Sequence, residues 1–501
     1  MKTYRQTTIL LLAIYLFCAL GATSGAIGAE KPLRQAQDRP PVVSPSKPNV
    51  LFIAIDDLND WTDMLKGNPQ AKTPNMAKLA SQGMLFTNAH CAAPACGPSR
   101  AAIMSGISPA TSGNYINSNS FTRNPILNNS VLLPEFFQQN GYHVSGAGKL
   151  FHGGHFQREV QGRGFDEYYP NKTQDRPSTL YKFTNPGFPQ SGLKISRQAD
   201  WGPFHPDVTL ADTGDGKVAK WAEEKLLGGE LKEPFFLGTG IYKPHMPFYA
   251  PQEYFDRFPL DEIELPQGYL EGDMDDVPEA SSKQGHQRAH KVTAAGQLKP
   301  AIQAYLACTA MVDDVLGQIV GALENSKYAD NTIIVLWSDH GFQFGEKGRW
   351  AKFSLWERAT RVNMIWVAPG VTTPGSTTNK PVNLLDIYPT LASLTGIEPP
   401  AGQLEGNDLS VLMKNPDAAW DETTLTAFGY KNYSLRSERY RYTVYADGSE
   451  ELYDHQKDKW EWENLANNPE YAGIKKKMRK DIPTHHEAVG AIEAFFEFRK
   501  K

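Results

Sequence analysis

The chain has 501 residues, of which 40% are hydrophobic and 11% aromatic, so it carries enough apolar material for a large folded core. This composition excludes disorder over most of the length. The formal net charge is −5. An acidic balance argues against a nucleic-acid-binding protein, because neutralising phosphates requires a basic face.

The N-terminal segment is typical of an export signal. A short basic start precedes an uninterrupted apolar run from Ile9 to Leu20, and small residues follow. The run is shorter than the ~20 residues that a membrane-spanning helix needs. We therefore predict a cleaved signal peptide over 1–29, a proline-rich linker over 30–46, no stable membrane insertion, and a periplasmic or extracellular location.

The first predicted core element is a strand. A nearly continuous apolar run over 49–55 ends at Asp56 and Asp57. Such a run is typical of a buried parallel strand, and carboxylates just past its carboxyl end lie where open α/β sheets place their sites. The alternative interpretation of the pair is a helix cap.

Cys96 lies in a segment that combines helix-start and helix-stop signals. Pro98 suits the first turn of a helix and Gly106 can end it, so Cys96 is expected at or just before the helix N-terminus. The helix dipole favours an anion there, and Arg100 follows about one turn later. These residues indicate an activated nucleophile at an anion site; the alternative is an ordinary cysteine near a cap. The other mature cysteines, Cys91 and Cys308, are expected to be buried thiols.

Strands and helices alternate through the rest of the first 420 residues. Carboxylates and histidines follow several strands, which argues for a mostly parallel sheet covered by helices on both faces, an α/β fold. The predicted elements are a helix between Thr73 and Gly83, a strand over 84–89, a helix from Ser130 to Gly141, strands over 142–147, 235–241 and 332–337, and a helix over about 299–325.

From about residue 420 the pattern changes to short strands, with a hairpin-turn signal at Asp447-Gly448 between segments 432–445 and 450–454. A basic, polar helix follows, and we interpret its charges as a solvated face. The chain is therefore expected to divide into a catalytic domain over 47–419 and a smaller antiparallel α+β subdomain over 420–501.

Several short motifs lie between residues 47 and 470. They are Asp56-Asp57, Cys96-Gly97-Pro98-Ser99-Arg100 with Ser105-Gly106, Gly141-Tyr142, Gly148-Lys149 with His152, Lys243-Pro244-His245, Ser338-Asp339-His340-Gly341, Trp350-Ala351-Lys352, Tyr388-Pro389-Thr390-Leu391 and Glu451-Leu452-Tyr453-Asp454. Together they resemble type I sulfatases, whose signature cysteine is oxidised enzymatically to Cα-formylglycine. The spacing from Lys149 to His152 and the histidine at 340 point to the iduronate-2-sulfatase-like branch. The resemblance implies the alkaline-phosphatase/sulfatase-like fold.

The resemblance also implies a metal site. Oxygen-rich ligation suits one Ca²⁺ ion, and Mg²⁺ is compatible with the same residue types. The implied ligands are Asp56, Asp57, Asp339, His340 and residue 96 after its conversion.

Cleavage of a sulfate ester requires a nucleophile, charge neutralisation and protonation of the leaving alcohol. The catalytic set implied by the resemblance is Cys96, Arg100, Lys149, His152, His245 and Lys352. In it, Lys149 and Lys352 hold the sulfate oxygens, His245 is the general acid, and His152 takes the proton whose loss expels sulfate. Conversion of Cys96 implies a formylglycine-generating maturation enzyme as a partner.

The leading hypothesis is an exported sulfatase that hydrolyses a sulfated carbohydrate, with 2-sulfated uronates and algal polysaccharides both compatible. One alternative is a phosphatase or phosphodiesterase of the same fold. A second alternative is a non-catalytic sulfoglycan-binding protein. The complete set of acid and base residues argues against it. Sugar contacts are expected from irregular stretches. These stretches contain Arg158, Arg163, Arg176 and the segment 255–298. For His155, a role in a surface loop and contact with the substrate are equally compatible with the sequence.

Overall fold

The computed structural model describes residues 47–117, 121–152, 163–170, 193, 199–284 and 289–487. The predicted signal peptide and linker lie outside these residues, as do His155, Arg158 and Arg176.

The strands, numbered along the chain, are β1 (Asn49–Asp56), β2 (Met84–Phe86), β3 (Ala89–His90), β4 (His143–Gly148), β5 (Glu167–Tyr169), β6 (Trp201–Pro203), β7 (Phe235–Pro244), β8 (Phe248–Ala250), β9 (Thr332–Ser338), β10 (Gln343–Phe344), β11 (Trp350–Ala351), β12 (Met364–Val367), β13 (Ser376–Thr378), β14 (Val382–Asn383), β15 (Thr424–Ala427), β16 (Tyr433–Arg436), β17 (Tyr440–Val444) and β18 (Glu450–Asp454).

The α-helices are α1 (Pro74–Gln82), α2 (Cys96–Ser105), α3 (Pro109–Ser112), α4 (Pro125–Asn128), α5 (Leu133–Gln139), α6 (Gly214–Gly228), α7 (Gln252–Phe255), α8 (Glu279–Ser282), α9 (Ala289–Ala294), α10 (Leu298–Glu324), α11 (Glu357–Thr360), α12 (Ile387–Thr395), α13 (Ser410–Lys414) and α14 (Ala472–Met478).

An eight-stranded sheet with the order β13-β2-β12-β9-β1-β7-β4-β5 forms the centre of the fold. Strands β9, β1, β7, β4 and β5 pair in parallel, and β12 runs antiparallel to both of its neighbours. The predicted mostly parallel α/β sheet is therefore confirmed. The carboxyl ends of β9, β1, β7 and β4 meet at one edge, which is where an open α/β sheet places its ligands.

Both faces of this sheet are buried, which explains why β1 reads as a continuous apolar run. Val50 and Phe52 pack into one hydrophobic cluster, whereas Leu51 and Ile53 pack into another. Helices α2, α5 and α12 contribute to the first cluster, and α10 contributes to the second. Within the part of the chain that the structure describes, α10 is also the one helix long and apolar enough to cross a membrane; most of that stretch is buried inside the protein.

Two predicted boundaries in the first 420 residues are wrong. The helix expected from Ser130 begins at Leu133, because Pro134 occupies its first turn and Glu135 accepts a hydrogen bond from the Leu132 amide. The single strand expected over 84–89 is divided into β2 and β3, which belong to different sheets.

The C-terminal antiparallel sheet has the order β15-β16-β17-β18. The strand expected over 432–445 is two strands, because the Ser437 amide and hydroxyl close a turn onto Tyr440. The predicted hairpin between β17 and β18 is present. Lys475 and Arg479 of the basic segment both pair with Glu450, so these two side chains do not form the purely solvated face that we expected.

Candidate active site

Four neighbouring strands deliver polar side chains to one edge of the sheet. Asp56 is the last residue of β1 and Asp57 follows it. The two residues after β9 lie beside them because β1 and β9 pair in register. Their neighbours β7 and β4 end close by. The side chains brought to this edge are those of Asp56, Asp57, Lys149, His152, His245, Asp339 and His340.

Cys96 lies at the centre of this group. It is the first residue of α2, preceded by Ala95 in an extended conformation, and Gly106 closes the helix with a φ of 69°. The helix start that we predicted from Pro98 and Gly106 is therefore confirmed. The Cys96 side chain is fully buried.

The Cys96 sulfur contacts three charged or ionisable groups. Its Sγ atom lies 3.0 Å from Lys352 Nζ, 3.2 Å from His340 Nε2 and 3.7 Å from Asp57 Oδ1. Lys352 reaches this position from the residue after β11, and its neighbours Ala351 and Phe353 both have left-handed backbone, with φ of 72° and 74°. Such conformations are costly for residues other than glycine and cluster at functional sites.

Three carboxylates converge beside the thiol. The Asp57 amide donates to Asp339 Oδ1 over 3.0 Å, and His340 Nε2 lies 3.2 Å from Asp57 Oδ1 and 3.6 Å from Asp339 Oδ1. Asp57 itself has a φ of 61°. Its Oδ2 atom is buried and has no hydrogen-bond partner among the residues that the structure describes. A buried carboxylate oxygen without a donor is costly unless a cation approaches it.

Each carboxylate is also paired with a basic side chain. Arg100 Nε donates to Asp339 Oδ2 over 2.8 Å, and a terminal guanidinium nitrogen of Arg100 donates to Asp56 Oδ1 over 3.2 Å. The Lys149 ammonium donates to Asp56 and the Lys352 ammonium to Asp57. Each negative carboxylate of the site is therefore in direct contact with a positively charged side chain.

The donor atoms form two overlapping groups in which all atoms lie within 4.8 Å of one another. One contains Asp56, Asp57, Cys96 and His245, and the other contains Cys96, Asp339 and His340. All five predicted metal ligands belong to these groups. His245, which we assigned to proton transfer, also lies close enough to be a ligand.

Hydrogen bonds from Nδ1 orient the rings of His245 and His340. His245 Nδ1 donates to the Met246 carbonyl over 2.5 Å, so its Nε2 faces the site, 3.9 Å from Asp57 Oδ2. His340 Nδ1 is held by the Gly341 carbonyl at 2.9 Å, which directs its Nε2 to the carboxylates. His152 Nδ1 is buried without a hydrogen-bond partner in the described part of the chain.

Opposing effects set the acidity of Asp56 and Cys96. Burial raises the pKa of Asp56, but Lys149 and the other nearby cations hold it well below its ordinary value. Burial and the Asp56 charge raise the pKa of Cys96, and the Lys352 and Lys149 charges outweigh them, which lowers that pKa to about 7. The position therefore favours a negatively charged group on residue 96.

The pKa values of His152 and His340 shift in opposite directions. Burial, followed by the charge of Lys149, lowers the pKa of His152 to about 3, so this imidazole is neutral at pH 7. Burial also lowers the pKa of His340, but the carboxylate of Asp339 overcomes it and raises the pKa to about 9.

Sequence reasoning missed several residues that hold the site. The Asn117 side-chain oxygen accepts the Gly97 amide over 2.8 Å, and Tyr305 donates its hydroxyl to the Asp57 carbonyl over 2.8 Å. Neither residue lies in a motif, and both are remote from their partners in sequence. Arg163, which lies in one of the irregular stretches from which we expect sugar contacts, is bound to Glu135 and to the Ser130 carbonyl.

Comparison with known proteins places these residues in context. Residues 48–397 match the Sulfatase family, and residues 345–488 match the C-terminal region of N-sulphoglucosamine sulphohydrolase. A sulfatase from Formosa agariphila is 40% identical over 434 residues, which cover 84% of this chain and 83% of the relative. Iduronate 2-sulfatase from Mus musculus is 28% identical, with 86% of this chain and 93% of the relative covered.

A solved structure shares the fold. It is a protein in complex with its substrate D-glucosamine-2-N,6-O-disulfate; the TM-score is 0.68 at 20% identity, and the match covers 87% of this chain and 96% of that chain.

Proposed function

Since the chain belongs to the sulfatase family and is therefore a sulfuric ester hydrolase, we propose that it hydrolyses sulfate esters of a carbohydrate with a nucleophile made from Cys96. The observation that carries this proposal is the position of the Cys96 sulfur, 3.0 Å from Lys352 Nζ and 3.2 Å from His340 Nε2. Family membership favours sulfate esters over the phosphate esters of the phosphatase alternative, and a hydrolase over a non-catalytic binding protein.

The nucleophile in this proposal is residue 96 after oxidation to formylglycine by a maturation enzyme. When hydrated, the aldehyde supplies one hydroxyl that attacks sulfur and a second hydroxyl whose deprotonation lets sulfate leave. Arg100, Lys149 and Lys352 surround this position with three permanent positive charges. Such preorganised charges stabilise the negative charge that develops on the sulfate oxygens without reorganising during the reaction.

In this proposal His245 and His152 carry out the two proton transfers. His245 presents Nε2 toward the site, because its Nδ1 is committed to the Met246 carbonyl. We assign it the donation of a proton to the sugar oxygen as the S–O bond breaks. We assign acceptance of the proton of the second hydroxyl to His152, the base that the resemblance implies; its imidazole is neutral at pH 7.

One Ca²⁺ ion fits the carboxylate cluster. Three buried carboxylates are the hard oxygen ligands that this ion prefers, and Asp57 Oδ2 has no donor in the described residues. The residues that would hold the ion are Asp56, Asp57, Asp339, His340 and residue 96. A bound ion would supply positive charge that favours the deprotonated nucleophile.

The relatives support a proposal for the substrate class. Iduronate 2-sulfatase names a sulfated uronate, and the structurally similar protein binds a sulfated glucosamine. We propose a sulfated oligosaccharide or polysaccharide as substrate, with 2-sulfated uronates as the first candidates. The export signal that we predict over 1–29 would bring the enzyme to such polymers outside the cytoplasm.

The test is sulfate release from defined oligosaccharides that carry sulfate on uronate O2, on glucosamine N2 or O6, or on galactose. We expect release from at least one of them by the wild type and by Cys91→Ala, and none by Cys96→Ala. Cys91 is the matched control, because its thiol is equally buried and lies five residues away. A fully active Cys96→Ala variant would contradict the proposed nucleophile. Release from galactose sulfates alone would contradict the uronate assignment.

A further inference from the structure

A buried lysine at the site has no part in the proposed mechanism. Lys243 is the penultimate residue of β7 and is 2% exposed. Its ammonium donates to the His245 carbonyl over 3.4 Å and to the Pro247 carbonyl. Burying an ammonium group against main-chain oxygens is costly. Both of these hydrogen bonds go to the loop that carries His245.

A buried carboxylate holds the same loop from the other side. Asp215 lies in the first turn of α6, and its two oxygens accept separate main-chain amides: Oδ1 accepts Tyr242 N over 2.7 Å, and Oδ2 accepts Lys243 N over 3.0 Å. A carboxylate that accepts two adjacent amides fixes the direction of the peptide between them. Asp215 thereby sets where the chain leaves β7, and Lys243 sets how it turns afterwards.

The His245 ring depends on this turn for its orientation. Its Nδ1 donates to the carbonyl of the next residue, Met246, so the main chain determines the ring plane. The ring also packs on Tyr242 at a centroid distance of 5.0 Å. Rotation of any of these peptides would move Nε2 away from its position 3.9 Å from Asp57 Oδ2.

We propose that Asp215 and Lys243 are positioning residues that hold the end of β7 and the loop after it, residues 242–247, so that His245 Nε2 points at the leaving oxygen of the substrate. The inference rests on the proposed role of His245 as the proton donor. Neither residue touches the reacting atoms. A displacement of about 1 Å at a catalytic group can cost roughly 100-fold in rate, so loss of either residue reduces proton donation without removing the imidazole.

The test compares Asp215→Asn with a matched control, Asp313→Asn. Asp313 is also buried, and its two oxygens also accept two adjacent main-chain amides, those of Asn75 and Met76 at 2.9 Å and 2.8 Å. Both substitutions replace one acceptor oxygen with an amide group, but only Asp215 bonds the His245 loop. We would measure kcat for each variant with a sugar sulfate and with 4-nitrophenyl sulfate, whose leaving group does not need a proton.

The proposal predicts that Asp215→Asn lowers kcat for the sugar ester roughly 10- to 100-fold more than for the nitrophenyl ester. Asp313→Asn leaves the ratio of the two rates unchanged. Lys243→Met is expected to change the ratio in the same direction as Asp215→Asn, and it serves if Asp215→Asn does not fold. In the His245→Ala background, Asp215→Asn should add no further selective loss, since both changes act through one imidazole.

Equal losses on both esters in Asp215→Asn and Lys243→Met, with a selective loss in His245→Ala, would overturn the positioning role and leave the proposed function intact. A selective loss that persists in full in the His245→Ala background would overturn it as well. If His245→Ala itself affects both esters equally, the proton-donor role fails and the positioning role fails with it.

Discussion

Arg441 is the strongest candidate for a single side chain that joins the C-terminal sheet to the catalytic core. It lies on β17, its side chain is fully buried, and its Nε lies 2.6 Å from Glu461 Oε1 while a terminal nitrogen pairs with Glu357. The guanidinium also donates to Thr360 Oγ1 over 2.9 Å and to Ser434 Oγ over 2.8 Å. Because Glu357 lies five residues after Lys352, this network supports the segment that carries a proposed catalytic lysine.

We predict that Arg441→Met lowers the free energy of unfolding by about 3 kcal/mol, the lower end of the range for removing one partner of a buried ion pair. The lower end applies because each carboxylate keeps another partner. Arg436 Nε stays 3.1 Å from Glu357 Oε2, and His455 Nε2 stays 3.0 Å from Glu461 Oε1. Methionine fills most of the vacated volume, so the loss is mainly electrostatic.

The assay is urea unfolding followed by tryptophan fluorescence and circular dichroism, with Lys477→Met as the control. Lys477 pairs with Asp421 on the surface, where both side chains are mostly exposed, and its replacement should change the unfolding free energy by no more than about 0.5 kcal/mol. A loss below about 1 kcal/mol in Arg441→Met, or an equal loss in both variants, would show that the Arg441 ion pairs do not stabilise the fold.

Three further predictions concern the site and the core. Treatment with a chelator should abolish sulfate release and added Ca²⁺ should restore it; undiminished release in excess chelator would contradict the metal site. His245→Ala should lower the rate for sugar sulfates about 100-fold or more but affect nitrophenyl sulfate much less, and a kinetic comparison showing equal losses would remove it as the acid. Burial raises the pKa of Asp386 to about 7, so its contribution to stability decreases as the pH rises from about 4 to 7. Relative to the wild type, Asp386→Asn should therefore appear progressively less destabilised across this range in thermal unfolding, and a pH-independent difference would contradict the shift.

The parts of the site that follow long apolar strands were predictable from the sequence. Asp56, Asp57 and Asp339 each come directly after a buried run, and the carboxyl ends of adjacent parallel strands share one edge. Cys96 was predictable as a helix start because proline and glycine mark the ends of α2. These predictions depend on local signals that reach the side chain within a few residues.

The supporting contacts were not predictable in this way. Asp215 meets the amide of Lys243 across 28 residues, and Arg441 meets Glu357 across 84, without a periodic pattern that links them. Lys352 depends on β10 and β11, which have two residues each and leave no recognisable strand signal. Its assignment came from resemblance alone. Isolated polar residues that pair over long sequence distances become visible only in the folded chain.

Peptide mass spectrometry combined with an activity assay tests whether catalysis depends on the conversion of residue 96. Preparations made with and without a formylglycine-generating enzyme would be digested, the fraction of the peptide containing residue 96 in its lighter aldehyde form measured, and sulfate release determined on the same samples. We predict that the rate is proportional to the converted fraction and absent from protein that retains Cys96. Full activity in protein with an unmodified Cys96 would contradict the account.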